Sequence, residues 1–96
     1  MRCDYDDPFE LLEERHVMSV ILYLHGKENV TKGQIYAEIS RGNSMPDKLT
    51  ALERCGIIDM GSPSGSNRAS INLTEKGRNI SESIRNIRRE LSVNPD

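Results

Sequence analysis

Val17, Val20, Ile21 and Leu24 recur at i, i+3, i+4 and i+7, the spacing of one face of a helix. Met18 and Leu22 widen that apolar stripe beyond a single face. Upstream, Asp7-Pro8-Phe9-Glu10 supplies a start: Asp7 to cap, Pro8 for the first helical position, and Glu10 to complete a capping-box arrangement. One helix is therefore expected to begin at this start and to run through Leu24, with Gly26 as its stop.

Two shorter helices follow. Thr31-Lys32-Gly33-Gln34 has the T-x-x-Q form of a capping box, and Ile35 and Ile39 lie one turn apart on the helix it opens. After the turn Arg41-Gly42-Asn43-Ser44, a third helix is expected to begin at Ser44 or Met45. Pro46 falls in its first turn, Asp47 near its positive end, Leu49 and Leu52 point inward, and Gly56 ends it. Then the period changes. Ala69, Ile71 and Leu73 alternate with Ser70 and Asn72, the pattern of a half-buried strand. Ile57 to Met60 is its short partner, and the hairpin tip is Gly61-Ser62-Pro63-Ser64-Gly65-Ser66-Asn67. Val30 reads as a one-residue remnant of a third strand. Thr74 caps a last helix whose apolar positions Ile80, Ile84, Ile87 and Leu91 are spaced 4, 3, 4, the rhythm of a helix packing on another helix.

Composition narrows what such a chain can do. Its 96 residues make one domain, with a single Phe, no Trp and no run long enough to span a membrane. Folding at this size removes about 60–65% of the unfolded chain's surface, so a partner that covers more apolar area is a gain. Cys3 and Cys55 lack CxxC spacing and read as reduced thiols, which places the chain in the cytoplasm. The net charge of −2 is uneven: residues 1–14 carry one Arg against Asp4, Asp6, Asp7, Glu10, Glu13 and Glu14, and the remainder carries a surplus of basic groups. An acidic head on a mildly basic body is compatible with nucleic acid. No Ser/His/Asp set, carboxylate pair, GxGxxG or Walker loop is present, and His16 and His25 have no further ligand at metal spacing. The chain reads as a non-enzyme without cofactor or metal.

Two short helices joined by a Gly-containing turn form a helix-turn-helix, and a hairpin directly after it is a wing. Here two stretches resemble a known family. Leu49-Thr50-Ala51-Leu52-Glu53-Arg54-Cys55-Gly56-Ile57-Ile58 is similar to the L-x-x-L-E-x-x-G-L-I that closes the recognition helix of MarR-, PadR- and HxlR-type regulators. Ile71-Asn72-Leu73-Thr74-Glu75-Lys76-Gly77-Arg78 is similar to the Y-x-L-T-E-K-G-R that leaves their wing. The resemblance implies an α+β, mainly α fold: a winged helix-turn-helix with a long C-terminal helix. It divides the chain into a flexible acidic N-terminus over 1–6, a winged-helix domain over 7–92 whose C-terminal dimerisation helix is 74–92, and a flexible tail over 93–96. It also implies a transcriptional regulator that binds double-stranded DNA as a homodimer, without a membrane and with no effector named by the sequence.

Lys48, between core positions on the third helix, has the reach for a phosphate or a guanine edge. Asn43 and Ser44 stand at that helix's entrance, where backbone N–H groups favour anions. Arg68 at the wing base suits a narrow minor groove, and Lys32 and Arg41 flank the second helix. The stripe Ile80, Ile84, Ile87 and Leu91 fits either the chain's own first helix or the same helix of a second chain. The second is adopted, because the first helix is apolar on more than one side. A competing reading is a winged-helix protein-interaction module without DNA. Asp47, Glu53, a wing with the single basic residue Arg68 and the acidic N-terminus favour it.

Overall fold

The computed structural model describes residues 7–39, 42, 44–61 and 70–93. Five helices and a hairpin follow in the order α1 (Phe9–Leu12), α2 (Val17–Leu24), α3 (Lys32–Glu38), α4 (Met45–Arg54), β1 (Ile58–Gly61), β2 (Ser70–Leu73) and α5 (Glu75–Ser92). Among the described residues no helix is long and apolar enough to cross a membrane.

The single helix expected at the start is two. Asp7 does act at its beginning, its Oδ1 accepting the Phe9 amide at 3.0 Å. The chain then turns through Glu13–His16, with His16 left-handed at φ 71°. Phase explains the break. At about 100° per residue, an unbroken helix would set Leu11 about 180° from Val20. Breaking it lets Leu11 join Val17, Val20, Ile21 and Leu24 in one core, where all five are fully buried.

The other boundaries follow local chemistry. Thr31 and Gln34 form the reciprocal capping box: Thr31 Oγ1 accepts the Gln34 amide at 3.1 Å, and Gln34 Oε1 accepts the Thr31 amide at 2.9 Å. The end of α4 is a Schellman turn. Gly56, at φ 80°, donates to the Glu53 carbonyl, and Ile57 donates to the Leu52 carbonyl. A left-handed residue is needed there, which is why glycine stands at this point.

β1 and β2 pair antiparallel, Ile58 opposite Leu73 and Met60 opposite Ile71. Val30 adds the expected third strand as an isolated bridge, exchanging both backbone hydrogen bonds with Ile71 at 2.7 and 3.2 Å. The hairpin's buried face meets Ile35, Met45, Leu49 and Leu52 of the two short helices in one core.

The L-T-E-K-G-R stretch fastens α5 to that core. Thr74 Oγ1 accepts the Gly77 amide at 3.0 Å as the helix cap. Lys76 Nζ donates to the Cys55 carbonyl at 2.9 Å, and Arg78 donates back to the Leu73 carbonyl at 3.2 Å. Gly77 lies against the Ile57 carbonyl so closely that a Cβ there would overlap its oxygen. A fifth tie is polar and buried. The Ser81 hydroxyl donates to the Arg78 carbonyl at 2.8 Å, so His25 Nδ1 donates to Ser81 Oγ at 2.9 Å. That leaves His25 Nε2 to accept from Arg85 at 3.0 Å.

One sequence reading is overturned. Cys55 is not a thiol but is disulfide-bonded, and it is buried at the end of α4. The chain's other cysteine, Cys3, lies outside the described residues.

Candidate nucleic-acid interface

α3, the turn after it and α4 form the helix-turn-helix, and β1–β2 is the hairpin beside it. On α4 the core takes Met45, Leu49, Ala51, Leu52 and Cys55. The helical period then leaves Pro46, Asp47, Thr50 and Arg54 on the outward side, all exposed. Among the described residues no element of the domain covers that face.

The six basic and polar residues singled out from sequence divide into two groups. Arg41, Asn43 and Arg68 lie outside the described residues, as does the hairpin segment 62–69. Lys32, Ser44 and Lys48 are placed. Lys32 opens α3 and is exposed. Ser44 precedes α4 in a left-handed conformation at φ 59°, exposed, and its side chain makes no capping bond. Lys48 is half-buried rather than exposed, and its Nζ donates to the Arg15 carbonyl at 2.7 Å. Its ammonium therefore ties α4 to the turn between α1 and α2.

Thr50 and Arg54 were not singled out from the sequence, although the signal was there. They occupy the helical positions between the inward residues Leu49 and Leu52 and beyond them. Thr50 spends its hydroxyl proton on the Pro46 carbonyl, 3.1 Å away. Its oxygen can still accept from a base amino group. At the entrance of α4, Asp47 offsets the helix's positive end with its own charge. Pro46 contributes no N–H there, and the Lys48 amide already donates to the Ser44 carbonyl at 3.0 Å. A phosphate at this end thus finds fewer free donors than a helix N-terminus usually offers.

The same arrangement of elements occurs in solved structures. Streptococcus pneumoniae FabT in complex with DNA superposes with a TM-score of 0.71 at 23% identity, covering 80% of this chain. Two mutants of MepR from multidrug-resistant S. aureus clinical isolates superpose with TM-scores of 0.66 and 0.62, at 23% and 22% identity over 86% and 88% of this chain. The fold is a winged helix. The chain spans 55% of the FabT chain and 63% and 66% of the two MepR chains. No family model matches the sequence, and no curated protein does.

In winged-helix terms α4 is the second helix of the helix-turn-helix and β1–β2 the wing. Of the four stripe residues expected at a dimer interface, two belong to the chain's own fold. Ile84 is buried in the core at 5% exposure, and Ile80 packs against that core half-buried. Ile87 and Leu91 are 56% and 80% exposed.

Proposed function

We propose that this winged helix is a double-stranded DNA-binding transcriptional regulator that acts as a homodimer in the cytoplasm, its single domain over 7–92. α4 enters the major groove, and the wing, 61–68, reaches the adjacent backbone or minor groove. The observation that carries the reading is the uncovered outward face of α4, on a fold shared with a structure captured on DNA. Residues 46, 47, 50 and 54 supply an acceptor, a hydroxyl and a guanidinium at helical spacing, the chemistry that reads base edges. Arg41, Asn43, Arg68 and Lys32 serve as backbone contacts in this reading.

The test is binding to random duplex DNA at two salt concentrations, with and without a thiol reductant, followed by selection of preferred sites. Each phosphate neutralised carries about −0.9 of the slope of log K against log salt. Arg68→Ala is expected to weaken binding and flatten that slope by about one such contact per subunit. Two-fold symmetry further predicts half-sites centred about 34 Å apart or a multiple of it. A wild-type protein that binds duplex DNA no better than its Arg41→Ala, Arg68→Ala double variant would sink the reading.

A second reading has its own observation. The Lys48 ammonium is held by the Arg15 carbonyl, and Asp47 is exposed beside it. Those two features suit a winged helix that binds a protein partner instead. Lys48→Ala separates the two. A DNA contact lowers the salt slope when lost, and a strut leaves that slope unchanged while the melting temperature falls.

A further inference from the structure

The exposed side chains of α4 are Pro46, Asp47, Thr50 and Arg54. Over its first two turns, Met45 to Leu52, none of them has a proton to give. Pro46 has no N–H. The Asp47 carboxylate makes no hydrogen bond or ion pair among the described residues, and an ionised carboxylate only accepts. Thr50 Oγ1 lies 3.1 Å from the Pro46 carbonyl, which also only accepts. The hydroxyl proton is therefore committed there, and lone pairs alone face outward. Lys48 is the one cation in these two turns, and its ammonium is spent on the Arg15 carbonyl. The first two turns of α4 thus present acceptors and no donor.

Such a surface has few partners on a duplex. Acceptors gain nothing from phosphate oxygens, and in the major groove they pair only with the amino groups of cytosine (N4) and adenine (N6). A carboxylate does not treat these two alike. Adenine carries the N7 acceptor beside its amino group, and cytosine carries only a C–H beside N4. The negative charge of Asp47 is repelled by that N7, so it favours cytosine. The neutral Thr50 oxygen discriminates less between the two. Spacing agrees with paired readers. Asp47 and Thr50 are three residues apart, on one side of the helix and about 4.5 Å apart along its axis. Successive base pairs are about 3.4 Å apart, so the two acceptors meet neighbouring pairs.

We infer that Asp47 and Thr50 set the base preference of the site that α4 binds. Asp47 accepts from N4 of a cytosine, and Thr50 accepts from the amino group of a cytosine or adenine in the adjoining pair. This rests on the DNA-binding reading above and adds the class of sequence it takes. Asp47 then has two opposed effects. Its charge repels the backbone at every sequence, and its hydrogen bond offsets that repulsion at one base. Where thymine O4 or guanine O6 stands in place of the amino group, two acceptors face each other and neither is satisfied. The preference is therefore one of rejection as much as attraction.

Selection of sites from a random duplex pool by the full chain, followed by affinities at two salt concentrations, tests this. Wild type is expected to select a fixed cytosine in each half-site and to lose about tenfold in affinity when that C·G pair becomes T·A. Asp47→Asn removes a repelling charge, so it is expected to bind random duplex more tightly. It should also move the preference at that position from cytosine to adenine, whose N6 and N7 suit an amide. Thr50→Val keeps the shape and removes the acceptor, and is expected to lose the preference at the adjoining pair alone. An Asp47→Asn protein that gains affinity for every sequence and still selects the wild-type half-site overturns the assignment, since its carboxylate is then only a surface charge. A Thr50→Val protein that selects the wild-type half-site removes Thr50 from it. Failure of the DNA reading looks different: wild type then shows no salt-dependent binding to any duplex, and both inferences fall.

Discussion

The two halves of α5 are made of similar residues and have opposite surroundings. From Glu75 to Ile84 the helix is fixed by the Thr74 cap, the close approach of Gly77 to Ile57, the Ser81–His25 bond and the burial of Ile84. From Arg85 to Ser92 it is exposed on every side, although Ile87 and Leu91 continue the same stripe. A 3.6-residue period states which side of a helix is apolar. It does not state what will cover that side, and here the cover ends after one half.

Substitutions at matched stripe positions test that division most severely. Ile84→Asp buries a charge with no partner in the core and is expected to remove about 3–5 kcal/mol, most of what a domain this small has. Thermal unfolding should then show little or no folded protein at 37 °C. An Ile84→Asp protein that melts like wild type would mean that α5 is held by something other than its own core.

Gly77→Ala has a smaller effect, and its sign is the informative part. Helix propensity alone favours Ala over Gly by about 1 kcal/mol. The overlap with the Ile57 carbonyl opposes it and is expected to prevail, with a net loss of about 1–3 kcal/mol by urea titration. A more stable Gly77→Ala protein would show that the α5–β1 contact is looser than described.

Thr74→Ala removes the cap and leaves the Gly77 amide without its acceptor. The expected cost is about 1 kcal/mol in the same titration. Amide exchange should speed up in the first turn of α5 and leave the last turns unaffected.

Leu91→Ala sits at the bottom of the scale. At concentrations where the protein is monomeric its stability should change by less than about 0.5 kcal/mol, because the side chain it removes is in water. A larger loss in the monomer would mean that the overhang packs on its own chain.

The candidate interface was legible in the sequence to the same partial degree. The order of elements, the inward residues of α4 and the stretch that leaves the wing were all readable, because caps, glycines and periodicity act within a turn or two. The exposure expected of Lys48 failed for the opposite reason. That residue has the spacing of a surface lysine, and its acceptor, the Arg15 carbonyl, is brought to it by a turn that carries no Gly or Pro to announce it. Thr50 and Arg54 lacked a distinctive residue type, and only the burial of their neighbours marks them as the outward face.

By itself the sequence determined the capping of α3 and α5, the Schellman stop of α4 at Gly56, the strand alternation and the inward side of each helix. These depend on hydrogen bonds and dihedral preferences among residues a few positions apart, which the chain order lays side by side. The tertiary structure decided the rest. It broke the first helix so that Leu11 reached the core, made Cys55 one end of a disulfide, brought the Arg15 carbonyl to the Lys48 ammonium and gave Ile84 and Leu91 opposite surroundings. Each of these is set by which distant segment arrives next to a residue, and that follows from how the elements pack.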